Sequence, residues 1–343
     1  MNTSYLHFGL LLLAASFFVV DSFVTPVSSP KSLRLQALSE WRDEVDVEDP
    51  FSMKKQVPMH LVPSSDVALP GETKYFQFQT EAELRLFQQA MDRHHGIFGL
   101  GLVVSLESLE AGGESMYGDA ALVDRELSQD EETMLETIAL MEIVEYKNMN
   151  LGVDFGVFCT AQVVGRASVL TMKDYEGNEL TESAENNGPL VAECLEYFDE
   201  AETHFTLQEV NTMAKDVVET IARISEQEAS QLRNDDDDND DDDTELRTDR
   251  FQKSLRDAYI ADSQGYIMPS SAITGLRSWK ELNVISWAAF SSSMTKQWEE
   301  THRLYAFDMQ RAVTRLQLAS FWLSDVLVDA QKAARQGQET TDS

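Results

Sequence analysis

The chain has 343 residues, 43% of them hydrophobic, which is enough for one or two domains with sizeable cores. Its 60 Asp and Glu against 27 Lys and Arg leave a formal net charge of −33. That balance argues against nucleic-acid binding, which needs clustered cations to displace phosphate counterions. It also argues against an anionic membrane surface, and the acidity reads first as a source of solubility.

The chain opens on Phe8–Val20, an apolar run of 13 residues. That length suits a signal-peptide core and is short for a membrane-spanning helix. Ser22 is a small residue placed before a cut at Phe23. From Phe23 to Ser39 the sequence is Ser-rich, carries Lys31 and Arg34, and has no acid until Glu40. This is transit-peptide composition. A signal peptide over 1–22 running into a Phe-led transit-like segment over 23–40 resembles the bipartite presequence of secondary plastids. That presequence is cut at an A-S-A-F-A-P-like motif. Asp21-Ser22-Phe23-Val24-Thr25-Pro26 keeps the Phe and the Pro and lacks the alanines. The resemblance implies cleavage between Ser22 and Phe23 and delivery to a plastid, with ordinary secretion as the alternative. Residues 41–56, acidic and non-periodic, read as a linker.

A first globular region is expected over 57–200. Val57, Met59 and Leu61 alternate as a half-buried strand does. Pro63–Asp66 and then Pro70-Gly71 supply turn chemistry, and Lys74–Phe78 is an aromatic strand. Thr80 and Glu83 form a capping box for an amphipathic helix carrying Leu84, Phe87 and Met91 on one face. His94-His95 ends that helix beside Arg93. Basic capping of the helix dipole is the plain reading, because neighbouring residues point about 100° apart and cannot chelate one metal. Gly96–Val104 is a glycine-punctuated buried strand. Ala111-Gly112-Gly113 and Gly118 mark a loop, and Ser128–Glu131 suits the cap of a helical turn. Thr137–Tyr146 fits a strand or, on its 3.6 period, a helix. Asp154–Leu170 is β-rich with a central Gly165-Arg166 pair, Asp174–Asn178 is a turn, and Pro189–Glu196 is a closing strand.

A helical region is expected over 206–335. Thr206 and Glu209 form a capping box for a helix with Leu207, Val210, Met213, Val217, Ile221 and Ile224 along one face. Asp235–Asp243 holds eight Asp in nine residues. Such a run cannot pack and reads as a disordered insertion over 234–244; it lacks the spacing and glycine of a calcium loop. Glu245–Ile260 is helical. Leu282, Ile285, Trp287 and Ala289 mark a short buried helix. Leu304, Phe307, Val313, Leu316, Leu318, Phe321, Leu323 and Leu327 mark the last helices, their stripes being core.

Three fragments carry a family resemblance. Pro70-Gly71-Glu72, Phe98-Gly99 and Leu190-Val191-Ala192-Glu193 occur in the order and spacing of the Lon N-terminal domain, the substrate-binding domain of Lon-type proteases. Ile97 stands where that family usually has Arg or Lys. Gly165-Arg166 resembles a hairpin whose Gly and Arg are normally spaced apart, and Thr314-Arg315-Leu316 resembles part of a closing bundle helix. The resemblance spans Val57–Leu327. It implies an α+β fold: a small, mostly antiparallel, barrel-like β region followed by a C-terminal helical bundle. The nine fragment residues are expected to be structural.

The family's chemistry is not found in this sequence. There is no G-x-x-x-x-G-K-[ST] phosphate loop for ATP, no P-K-D-G-P-S-A-G protease run, and no G-x-S-x-G or H-E-x-x-H. Glu142 with Glu145, and Asp199 with Glu200, are carboxylate pairs of a kind expected by chance among 60 acids. Cys159 and Cys194 form no CxxC; buried free thiols are expected, with a disulfide as the alternative. The expectation is a stand-alone, non-catalytic domain without cofactor or metal. The resemblance implies that it contacts unfolded or tagged polypeptide, with a protease or chaperone as a further partner. A small-molecule-binding regulator and a hydrolase with an unrecognised site are the alternatives.

Overall fold

The structure is a computed structural model that describes residues 40–42, 53–105, 132–151, 154–174, 190–200, 202–232, 247–261, 276–291 and 300–341. The presequence with Ser22 and Phe23, the loop around Gly112, the Ser128–Glu131 cap, the turn after Asp174 and the acidic run Asp235–Asp243 lie outside these residues.

Seven strands form one sheet among the described residues. They are β1 (Lys55–Pro63), β2 (Thr73–Phe78), β3 (Ile97–Ser105), β4 (Glu132–Met134), β5 (Thr137–Leu151), β6 (Asp154–Lys173) and β7 (Leu190–Tyr197). Five of them close a ring, β1–β7–β6–β5–β3 and back to β1. Closure depends on β1 serving two partners. Lys55–Met59 pairs antiparallel with β7, and Met59–Pro63 pairs parallel with β3. Leu61 keeps the face of Val57 and Met59, beside Gly101, yet is 39% exposed. β2 is added to β6, and β4 to β3. Thr137–Tyr146 is strand, and Asp154–Leu170 belongs to one continuous strand, β6, where the family pattern suggested a hairpin.

The two faces of the ring define two cores, as period two requires. Val57, Met59, Ile97, Ile138, Leu140, Ala192 and Cys194 point inward and pack together. Phe98, Leu100, Ala139, Met141, Val157, Cys159 and Val163 point outward and pack beneath the helices. Gly99 and Gly101 belong to the inner face. A Cβ on Gly99 would lie 2.5 Å from the Met59 Sδ, so the glycine makes room for that side chain.

Among the described residues six α-helices follow or interrupt the strands: α1 (Glu81–Arg93), α2 (Leu207–Leu232), α3 (Arg247–Ala261), α4 (Trp279–Ala288), α5 (Glu300–Asp308) and α6 (Ala312–Thr341). Both expected capping boxes form: the Thr80 and Thr206 hydroxyls accept from Glu83 and Glu209 N–H, and those carboxylates accept from the Thr N–H groups. A third, between Ser278 and Glu281, starts α4. On α1 the buried positions are Leu86 and Ala90. Leu84 and Phe87 are half-buried and Met91 is exposed, so the helix is rotated from the expected face. α2 buries Val210, Ala214, Val217, Ile221 and Ile224 and runs along α6. On α6 Phe321, expected in the core, is 65% exposed. Trp41 and Arg42, expected in a linker, lie on a helical turn packed onto the ring.

His94 corrects another expectation. It is buried at the end of α1, and burial, with Arg93 and His95 beside it, pushes its imidazole down from the ordinary 6.5 to about 4. At neutral pH it carries no charge, so its N–H caps the Ala90 carbonyl as a backbone group while the ring contributes nothing to the dipole. The unfolded chain takes up a proton between pH 6.5 and 4 that the folded one refuses, so stability rises with pH across that window. His94→Gln should therefore flatten part of the loss of unfolding free energy between pH 7 and pH 4, by about 2–3 kcal/mol. Denaturant titrations at the two pH values check this; an unchanged difference would place the acid sensitivity elsewhere.

Candidate functional site

The nine fragment residues divide between two jobs. Met59 of β1 pairs with both Gly99 and Leu190, while Val57 faces Ala192 and Gln56 faces Glu193. Phe98-Gly99 and Leu190–Glu193, far apart in sequence, thus converge on one strand and close the ring. Glu193 points outward to Lys54 and Lys173, and its hydrogen bond from Lys54 foremost holds its carboxyl below the usual range.

Pro70-Gly71-Glu72 instead joins ring to helices. Gly71 has φ +95°, and a Cβ there would stand 2.5 Å from the Ala258 Cα of α3, so the turn admits only glycine at this contact. The buried Glu72 carboxylate accepts the Leu69 N–H at 2.9 Å and an Arg303 N–H at 2.5 Å. Arg303, on α5, also donates to the Val67 carbonyl at 2.9 Å.

The other end of α5 meets a cluster that the sequence reading passed over. Arg315 of α6 has 0% exposure. It donates to both Asp199 oxygens, to Ser286 Oγ, to Asn283 Oδ1 and to the Met309 carbonyl. Arg166 of β6 donates to Asp199 Oδ1 at 2.6 Å and to the Phe307 and Met309 carbonyls. Both guanidiniums lie over the Trp287 ring, at 3.7 Å for Arg315 and 4.7 Å for Arg166. Two cations face one carboxylate here. The excess charge meets carbonyls at and just beyond the C-terminal end of α5, the negative end of its dipole. A bulge aims Arg166 this way. Leu140 pairs with Gly165 but Met141 pairs with Val163, so Val164 is an extra residue. Were the alternation regular from Val163 through these same residues, Arg166 would share the face of Val164 and point into the ring. Asp199, set aside as a chance acid, is the shared anion. The signal was Arg315 among the stripe residues Val313, Leu316 and Leu318, since a buried Arg requires a carboxylate.

These groups are engaged with one another and serve assembly. The exposed face of β2 offers a different arrangement. β2 pairs with β6 alone among the described strands. Phe76 and Phe78 turn to the core beneath the helices and meet His60, Phe98 and Phe87. Tyr75, on the opposite face, is 70% exposed and stacks on Phe158 of β6, itself 38% exposed, with ring centroids 6.1 Å apart. A hollow of about 270 Å³ lined by Arg85, Gln88, Gln89, Asp92 and Arg93 draws on α1 alone and is polar, unlike an apolar ligand pocket.

Cys159 and Cys194 are both free and buried, and burial first of all pushes their thiols up to about 12. The disulfide alternative is set aside, since Cys194 pairs with Val169, ten residues along β6 from Cys159. No group of three or more metal-ligating side chains occurs among the described residues, and no helix among them is long and apolar enough to cross a membrane.

The fold is α+β, a closed and mostly antiparallel ring of strands with a helical bundle, and the chain resembles Lon N-terminal domains. The N-terminal domain of a Mycobacterium avium complex Lon protease is similar over 79% of this chain and 99% of its own, at 12% identity and a TM-score of 0.42. A Lon N-terminal domain protein from Xanthomonas campestris is similar over 77% of this chain and 95% of its own, at 12% identity and a TM-score of 0.37. No family model matches the sequence, and no curated protein does.

Removing the shared anion should be costly. Asp199→Ala leaves two buried guanidiniums facing each other and should lower the unfolding free energy by about 3–5 kcal/mol, read from chemical denaturation. A loss under about 1 kcal/mol would show the cluster to be incidental.

Proposed function

We propose that this chain is a non-catalytic polypeptide-binding protein, an adaptor in the protein quality control of a plastid. The resemblance of its three sequence fragments to a substrate-binding domain supports the polypeptide. The absence of a phosphate loop and of the Ser-Lys protease run from the sequence supports a role without catalysis. The plastid rests on the presequence-like, acid-free stretch Phe23–Ser39.

The observation that carries the reading is the exposed Tyr75–Phe158 stack on a strand with a single ladder among the described residues. An extended polypeptide reads such a surface in two ways: it adds a strand to the side of β2 that carries no ladder among the described residues, and it lays alternate apolar side chains against the aromatic pair. Covering about 200 Å² of apolar surface contributes about 5 kcal/mol before the costs of association. That suits weak, sequence-tolerant binding in which charge contacts are secondary.

Tyr75→Ala with Phe158→Ala tests this on the full chain. Both side chains are at the surface, so the double variant should keep its circular dichroism and thermal midpoint. Its affinity for a fluorescent unfolded model protein, reduced and carboxymethylated α-lactalbumin, should fall about tenfold, a loss of about 1.4 kcal/mol. The affinity of the unsubstituted chain should change little between low and moderate salt, because apolar contacts are not screened. Undiminished binding by the variant, or binding abolished by salt, would overturn the assignment. For location, a fluorescent fusion of the full chain should enter the plastid and its Phe23→Ala form should stay in the endomembrane system. Equal import of both would remove the Phe-dependent part of the reading.

A further inference from the structure

The ring of strands has an inner face as well as an outer one, and part of what fills it comes from outside the sheet. Trp41 is 0% exposed and packs with Val57, Met59, Ile97, Ile138, Leu140, Val164, Ala167, Ala192 and Cys194. All five ring strands contribute to that lining, whereas Glu40–Arg42 takes part in no strand ladder. Ring closure is therefore a matter of backbone pairing that does not involve Trp41, and the indole is an inserted group.

Two further features separate Trp41 from an ordinary core residue. Its indole Nε1 is buried with no acceptor among the described residues, whereas buried tryptophans usually find one. Its neighbours hold it from the surface. Arg42 donates to both Glu196 oxygens, at 2.8 Å and 2.5 Å, and lies 5.4 Å from the Phe198 ring centre. Glu40 reaches His95 Nδ1 at 3.3 Å, with both side chains well exposed. The exposed Glu40–His95 pair holds weakly and exchanges readily, while the Arg42–Glu196 pair is more deeply set. The arrangement is an aromatic side chain in an apolar seat, flanked by an acid before it and a base after it, each meeting a complementary group on the ring.

We infer that the inner face of the ring is a second polypeptide subsite, one that takes a tryptophan side chain, and that the Glu40–Arg42 turn occupies it in cis as a displaceable self-ligand. The inference rests on the polypeptide-binding reading and adds to it a site with a defined chemistry. The occupant is a segment with the pattern acid, Trp, base. While Trp41 is seated, an incoming segment meets only the fraction of molecules in which it has left, and its apparent affinity is reduced by that fraction.

A fluorescent peptide of residues 36–47 probes the seat on full chains. It should bind Trp41→Ala at least about tenfold more tightly than the unsubstituted chain, because the vacated fraction goes from small to complete. The same peptide with Ala for Trp should not bind. If Trp41→Ala does not fold, the Glu40→Ala/Arg42→Ala chain keeps the indole and loosens its hold. That chain should then gain peptide binding and show a red-shifted tryptophan emission. Gain of binding that persists when Tyr75 and Phe158 are also alanine places the peptide in the ring, and does so even if unfolded polypeptide proves not to use the β2 face. No gain in either variant, or a gain that disappears with Tyr75 and Phe158, would overturn the inference.

Discussion

The molecule is organised around one part-buried carboxylate shared by two buried arginines. Asp199 draws Arg166 from the ring and Arg315 from the last helix onto the Trp287 ring, while the carbonyls of Phe307 and Met309 take up the remaining charge. Buried ion pairs are weak evidence for stability, because desolvation offsets most of the attraction, yet they tolerate only one arrangement of their members. Here that arrangement fixes a strand, a connecting segment and three helices at once. The Glu72–Arg303 pair fixes the opposite end of α5 by the same logic. Short polar contacts reinforce it, with Thr137 donating to Asp308 and Glu200 N–H to the Gln310 carbonyl. Helix α5 is thereby held at both ends between sheet and bundle, and the two regions act as one body.

Much of this was legible in the sequence where the signal is local. Capping boxes at Thr80 and Thr206 start their helices, because a hydroxyl and a carboxylate three residues apart satisfy the orphan N–H groups wherever the chain turns helical. The glycines of β3 and the buried stripe of α2 follow from period alone. What was not legible depends on partners distant in sequence. Leu61 has the alternation of a core residue, and its 39% exposure depends on how far the rest of the ring extends beside it. Val164 looks like any apolar strand residue, and only the pairing on either side shows that it is extra. Asp199 is one acid among 60, and its role exists only once Arg166 and Arg315 arrive. Trp41 sits in acidic surroundings that read as linker, and the ring that buries it is assembled from residues 57 to 194.

The functional reading follows from this division. The fragments that carry the family resemblance close the ring and tie it to the bundle, so they account for the shape and leave binding to other residues. Two aromatic features take no part in that frame: the exposed pair on β2 and β6, and the indole that packs into the ring from outside the sheet. A rigid frame with apolar groups at its margins suits contact with chain segments that lack a fixed structure, since the frame loses little entropy while the partner is ordered. The charge of −33 keeps such a surface soluble without directing what it touches.

The claim on which the account depends is that ring and bundle form one cooperative unit. Native-state hydrogen exchange measures this directly across a denaturant series. The account predicts that the slowest amides of β5 and β6 and those of α2 and α6 open with one common free energy and one common denaturant dependence, which is the signature of a single global unfolding event. Bundle amides that open at a distinctly lower free energy, with the ring amides still protected, would contradict it.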